Sequence, residues 1–195
     1  MLTLAWAEQP TVHRRSRARA FIELQCETTL YPNECVRSLS YYASNFTYTL
    51  SHQQLAQIAL KVALVRAEST RAYVIDVAKE LKRTKGKDYQ AVEECLSQIN
   101  DGVDQLKNCI EETQKIKKDE DFTWHASNVQ TWMSTALTDS SMCIDGVSAR
   151  AIRGRTKALI KAKVLNLHQV TSNALALFNR FASRYRSSHD KKNKV

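Results

Sequence analysis

Five cysteines, Cys26, Cys35, Cys95, Cys109 and Cys143, have the most chemistry open to them in this chain. A thiolate can attack an electrophile, hold a metal or join a second sulfur. A metal site needs ligands at short, regular spacing. The chain has no Cys-x-x-Cys and no histidine at ligand spacing from a cysteine, so no metal and no cofactor is expected. Nucleophilic catalysis needs a base beside the thiol. His125 could pair with Cys109 in a Cys–His dyad, but the two fall on different predicted helices, and no glycine loop of the oxyanion-binding kind accompanies them. Glu93 and Glu94 are adjacent, so on a helix they point about 100° apart and cannot act as a facing carboxylate pair. His168 reads as a surface or interhelical histidine. The residues therefore describe a protein that is not an enzyme. What remains for the cysteines is the disulfide, or else burial as small reduced apolar side chains.

The elements that position these cysteines are helical. Only four glycines and two prolines occur in 195 residues. That is too few breakers for strands joined by tight turns. Hydrophobic residues at 43% and charged residues at 25% give the composition of a soluble globular domain, and no apolar run approaches the roughly 18 residues of a membrane span. Tyr31-Pro32 divides "FIELQCETTLYPNECVRSL" into two short apolar runs, with proline suited to a first helical turn. This predicts a helical hairpin, residues 17–28 and 32–44.

Four longer helices follow. Ser51 caps the first, whose apolar set is Leu55, Ile58, Ala59, Val62, Val65, Ser69, Ala72 and Tyr73, running to about Arg83 with Gly86 closing it. Asp88 caps the second, with Tyr89, Val92, Leu96, Ile99, Val103, Leu106 and Ile110 at spacings of three and four. The third runs from about Asp121 to Ser148 on Val129, Met133, Ala136, Ser140, Cys143 and Val147, with Trp132 and Met133 read as core. The fourth starts near Thr156 on Ile160, Val164, Leu167, Val170, Ala174, Leu177 and Phe181. The expected fold is all-α: an antiparallel up-down-up-down four-helix bundle (51–183) with an N-terminal helical hairpin (17–50) and two disulfides.

That topology sorts the cysteines. Cys26 and Cys35 flank the hairpin turn. Cys95 lies near the start of the second bundle helix and Cys143 near the end of the third, ends that antiparallel packing sets side by side. Cys109 is about 21 Å further along at helical rise, whereas a bridge needs Cα atoms within about 7 Å. Cys26–Cys35 and Cys95–Cys143 are favoured, with Cys109 a free thiol.

The formal charge of +9 is concentrated at the ends. Residues 1–20 carry Arg14, Arg15, Arg17 and Arg19 against Glu8, and residues 184–195 carry Arg184, Arg186, Lys191, Lys192 and Lys194 against Asp190. The body between them is nearly neutral. Basic ends permit weak, salt-sensitive association with polyanions, but no interleaved aromatics or recognition motif supports specific nucleic-acid binding. Residues 1–16 read as a disordered leader or signal-peptide remnant, with Ala5-Trp6-Ala7 in the small-x-small form of a cleavage site. Residues 184–195 read as a basic disordered tail. Asn45-Phe46-Thr47 makes Asn45 a glycosylation candidate.

Three segments carry a resemblance. Phe21, Ile22, Cys26, Thr29, Tyr31, Pro32, Cys35, Ser38 and Leu39 follow the pattern F-I-x-x-S-C-x-x-T-x-Y-P-x-x-C-x-x-S-L, from which Gln25 departs. Thr131, Trp132, Ser134, Ala136, Leu137, Thr138, Cys143, Asp145 and Gly146 follow T-W-x-S-A-A-L-T-x-x-x-T-C-x-D-G-F, with Thr135, Met142 and Val147 as departures. The closing "VTSNALAL" is similar to a third segment. Over about residues 17–183 the chain resembles the plant invertase and pectin methylesterase inhibitors. The resemblance implies the same bundle, the same two bridges, and export to the apoplast and cell wall, or to the vacuole, where disulfides persist.

The family has two target classes. Its invertase inhibitors resemble one another in a Pro-Lys-Phe element ahead of the third bundle helix's cysteine motif, an element that enters the target's active site. The corresponding "KIKKDEDFTWHASNVQ" holds no proline, and Phe122 lacks the preceding Pro-Lys. The resemblance thus implies a 1:1 complex with pectin methylesterase, with acid invertase as the alternative target. The mechanism implied is occlusion of the pectin cleft. The polar residues Asn128, Gln130, Thr131 and Ser134 of the third bundle helix are the candidate target contacts.

Overall fold

The computed structural model describes residues 10–45, 51–116, 121–149 and 154–192. Six helices account for nearly all of them: α1 (Pro10–Cys26), α2 (Pro32–Leu39) continued by a 3-10 turn (Ser40–Asn45), α3 (His52–Arg83), α4 (Tyr89–Lys115), α5 (Phe122–Ala149) and α6 (Arg155–Lys192). Helices α3 to α6 pack as a closed ring of neighbours, α3 on α4, α4 on α5, α5 on α6 and α6 on α3. This is the up-down-up-down bundle that the periodicity predicts. The α1–α2 hairpin lies against α6 and α3.

Local chemistry explains the boundaries. Ser51 accepts a hydrogen bond from the Gln54 N–H and satisfies an orphan donor at the start of α3. Asp88 occupies the N-cap of α4 without a side-chain cap bond. The end of α3 differs from expectation. The left-handed residue there is Lys85 (φ 50°), while the Gly86 N–H reaches back to the Leu81 carbonyl at 2.8 Å.

The leader and the tail differ as well. α1 begins at Pro10, so the last residues of the expected disordered leader are helical, and α6 continues to Lys192 through most of the expected disordered tail. Pro10 suits a first helical position. The residues from Arg184 to Lys192 contain no glycine or proline, so nothing local stops the helix.

The α4–α5 seam has a strict antiparallel register. Cys95 is bonded to Cys143, Gly102 faces Ala136, and the Cys109 thiol reaches the Val129 carbonyl. Each step of seven along α4 is matched by a step of seven back along α5, which is the repeat of coiled-coil packing. The α5 set Val129, Met133, Ala136, Ser140, Cys143 and Val147 is buried throughout, as is the α6 set.

α3 departs from its predicted seam beyond Val62. Val65, Ser69 and Ala72 face outward, and the buried positions are Ala63, Ala67, Thr70, Val74 and Ala78. Small residues carry this seam, so hydrophobicity alone picks the wrong stripe. Val65 instead lines a groove with Tyr41, Tyr42 and Val62, where the hairpin meets α3.

Candidate target-binding face

Cys26–Cys35 and Cys95–Cys143 are both disulfides, with Cα separations of 5.6 and 4.3 Å. Cys109 is free and fully buried. Burial pushes its thiol up to about 12, so at neutral pH it is an inert thiol that donates to the Val129 carbonyl at 3.6 Å.

His125 does not serve Cys109. Its Nδ1 lies 2.8 Å from Oε1 of Glu112, a carboxylate that also accepts from Asn128 Nδ2 at 2.8 Å and Lys115 Nζ at 2.9 Å. Burial works to raise the Glu112 carboxyl, but these three partners outweigh it and hold it down at about 2. His168 is interhelical, with Nδ1 2.8 Å from Ser140 Oγ, and burial lowers its pKa. Among the described residues no group of three or more His, Cys, Asp or Glu side chains could hold a metal ion. No helix there is long and apolar enough to cross a membrane.

The outer face of α5 is different in kind. Its buried stripe packs on α4 and α6, which leaves a stripe of short hydroxyl side chains outside. Ser127, Gln130, Thr131, Ser134, Thr135 and Thr138 line a shallow open trough there. Three of the four residues singled out from sequence, Gln130, Thr131 and Ser134, thus come together. Asn128 does not join them, since its amide is committed to Glu112. Gln130 is partly committed too, with Nε2 donating to Asn179 Oδ1 of α6 at 2.7 Å.

Ser127, Thr135, Thr138, Trp124 and Met142 are exposed on α5 as well. Trp124 is 67% exposed and Met142 52% exposed. The signal that could have found them is spacing: Trp124 and Met142 are eighteen residues apart, which is five full turns at 3.6 residues per turn. Asn45 ends the 3-10 turn, but its side chain and the rest of its sequon lie outside the described residues.

The hydroxyls on this face lie within reach of the helix's own carbonyls. Ser134 Oγ donates to the Gln130 carbonyl at 2.8 Å, Thr135 Oγ1 to the Thr131 carbonyl at 3.1 Å, and Thr138 Oγ1 to the Ser134 carbonyl at 3.1 Å. A carbonyl can only accept, so each O–H proton points inward along the helix. In that arrangement lone pairs and threonine methyls face outward, and a hydroxyl that turns to a partner can also donate. Such a surface can bind a partner rich in donors and apolar groups.

Comparison with known proteins identifies relatives over most of the chain. The chain is 43% identical over 173 residues to pectinesterase inhibitor 9 of Arabidopsis thaliana, covering 87% of this chain and 84% of the relative. It is 41% identical over 172 residues to pectinesterase inhibitor 11 of the same plant, again covering 87% and 84%. The fold is similar to the crystal structure of a mutant form of a pectin methylesterase inhibitor from Arabidopsis. The TM-score is 0.58 at 18% identity, covering 79% of this chain and 92% of that one. The description of one family, plant invertase/pectin methylesterase inhibitor, matches residues 20–177. With most of its length matched in this way, and with the hairpin, the bundle and both bridges in place, the chain belongs to the plant invertase/pectin methylesterase inhibitor family.

Proposed function

We propose that this chain inhibits plant pectin methylesterase by seating the outer face of α5 across the enzyme's pectin-binding cleft and keeping the polymer out. The observation that carries this reading is the identity of over 40% to two pectinesterase inhibitors across 87% of the chain. The lack of a Pro-Lys-Phe element ahead of the α5 motif supports the esterase over invertase. The face itself suits steric inhibition. It is a rigid helix held by a disulfide to α4, so little conformational entropy is lost on docking. A standard interface of about 1,600 Å² would cover it. No catalytic step is asked of the inhibitor, and the complex is 1:1. Two disulfides fit export to the cell wall, where they stay oxidised.

The test is a paired titration of the oxidised protein against pectin methylesterase and acid invertase. The expected result is stoichiometric inhibition of the esterase with the invertase left running. Inhibition of invertase alone overturns the assignment.

A further inference from the structure

A groove of about 510 Å³ opens where α2 and its 3-10 turn lie against α3 and α6. Glu34 lines it and is almost wholly buried. Both oxygens of that carboxylate are taken: one pairs with Arg37, and the other accepts from Asn166 Nδ2 at 2.8 Å. Arg37 spends one terminal nitrogen on this pair and its side chain is 70% exposed, so other N–H groups of its fork stay on offer. Arg66 stands on the α3 wall, exposed, and forms no ion pair among the described residues. Arg37 offsets Glu34, so Arg66 leaves the groove with a net positive charge. Tyr41 and Tyr42 of the 3-10 turn supply rings, that of Tyr41 being 81% exposed, and Ser38 and Ser69 supply hydroxyls.

The pairing of cation with ring continues along the α3–α6 seam. One turn beyond Ser69 and Asn166, Lys163 Nζ of α6 stands 4.9 Å from the centre of the Tyr73 ring of α3. Tyr73 is seven residues past Arg66, about 10 Å at helical rise. Acids are kept off this line. α6 has no acidic residue before Asp190. Glu68, two residues from Arg66, is turned about 160° away around α3. Asp76, exposed one turn past Tyr73, bounds the line.

An aromatic ring can cover the C–H face of a sugar, hydroxyls and amides pair with sugar O–H groups, and an arginine holds a carboxylate. Cations set singly along a groove match a chain with one carboxylate per sugar. We infer that this groove binds an acidic oligosaccharide, the uronate chain that pectin becomes when its methyl esters are hydrolysed. Arg37 and Arg66 hold carboxylates, Tyr41 lies against a sugar ring, and Lys163 takes a carboxylate further along. An ester carries no charge, so the groove reads the product of the esterase and not its substrate. α3 neighbours α4 and α6 and stands across the ring from α5. The groove therefore stays open while α5 is docked, and one inhibitor can hold the enzyme and the polymer that the enzyme has already processed. The site goes beyond the proposed inhibition, and only the choice of pectin as the source of the uronate rests on that reading.

The experiment is a calorimetric titration at physiological salt of three probes: uronate oligomers from de-esterified pectin, the same oligomers fully methyl-esterified, and an oligonucleotide of equal charge. Each is titrated into the wild-type protein, Arg66→Gln and Tyr41→Ala, with melting temperature and esterase inhibition measured alongside. The wild-type protein should bind the uronate oligomers saturably and the esterified ones at least tenfold more weakly. Arg66→Gln and Tyr41→Ala should each weaken uronate binding fivefold or more while melting temperature and inhibition stay unchanged. The inference is overturned by the absence of saturable binding, by equal binding of the esterified oligomers, or by variants that stay within twofold of the wild type. Equal binding of the oligonucleotide overturns it too, since that is general attraction of a basic protein for polyanions. Loss of inhibition in the variants would place the groove in the enzyme contact and likewise overturn it as a separate site. If the wild-type protein inhibits no esterase yet binds uronate in this pattern, the proposed function fails and the saccharide site stands.

Discussion

Arg180 of α6 donates from Nη1 to the Gln25 side-chain oxygen of α1 at 2.8 Å, and its second terminal nitrogen reaches Thr28 Oγ1. Gln25 is the position at which α1 departs from the family pattern, and it is almost wholly buried. The arginine satisfies the amide oxygen that this departure introduces. Two further clamps follow at seven-residue intervals on α6. Asn173 both donates to the Tyr31 carbonyl (2.9 Å) and accepts from the Tyr31 N–H (3.1 Å), and Asn166 donates to Glu34 at 2.8 Å. One polar stripe of α6 thus ties the hairpin to the bundle, beside its packing on α3.

Asn173→Ala should therefore loosen the hairpin. The change leaves the Tyr31 N–H without its Asn173 acceptor in a half-buried turn and removes one of the two bonds to the Tyr31 C=O, which keeps the Cys35 N–H, a loss of about 1–3 kcal/mol. Urea unfolding should show the lower midpoint, and amide exchange should rise in residues 26–35 before it rises in α4 or α5. An unchanged midpoint would mean that packing alone seats the hairpin.

The two disulfides should contribute unequally. The Cys95–Cys143 bridge closes a separation of 48 residues and Cys26–Cys35 one of nine. Chain entropy then assigns about 4 kcal/mol to the first and about 2.6 kcal/mol to the second. Cys95→Ala with Cys143→Ala should lower stability more than Cys26→Ala with Cys35→Ala. Cys109 should stay unlabelled by iodoacetamide in the native protein at pH 8 and react on unfolding, because its buried thiol is held at about 12.

Glu112 gives the bundle an acid-sensitive joint. Its carboxyl ordinarily titrates at 4.5 and is held at about 2 in the fold. A depressed carboxylate contributes its full stability above the unfolded value and loses it as pH falls toward the folded one. The contribution is therefore complete above about pH 4.5 and fades between there and pH 2. Glu112→Gln should destabilise the protein at pH 6, and its unfolding curve should converge with that of the wild type as pH approaches 2. A difference that stays constant over this interval would assign the effect to packing.

What could be read from sequence follows from which interactions are local. The α5 seam was legible because Val129, Met133 and Val147 mark a stripe at helical period with residues of medium and large size. The Cys95–Cys143 bridge was legible because antiparallel helices leave that cysteine only one partner within reach. The clamps to the hairpin were not, since Asn173 and Tyr31 are 142 residues apart and two polar residues at that distance carry no local signature. The bond of Asn128 was not legible for the same reason: its partner Glu112 is on another helix. Trp124 and Met142 needed the azimuth of α5, which appears only once the buried stripe is known.

The α3 seam offers the sharpest contrast, since composition and geometry disagree there. Val65 is the more apolar residue yet is 59% exposed, while Ala67 is fully buried. Ala67 lines the bundle interior with Leu106 of α4, Ala136 of α5 and Leu167 of α6. Val65→Ala should change stability by less than about 0.5 kcal/mol, as exposed positions do. Ala67→Leu adds volume to a packed interior and should cost about 1–3 kcal/mol. Gly102→Ala, in the same region, should have the opposite sign. A methyl there would meet Ala136 at 3.9 Å, an ordinary contact, and replacing glycine inside a helix stabilises by roughly 0.5–1 kcal/mol. Urea midpoints for the three variants decide the matter. If Val65→Ala costs more than Ala67→Leu, α3 is rotated from the position found here, and the groove beside Tyr41 would be core.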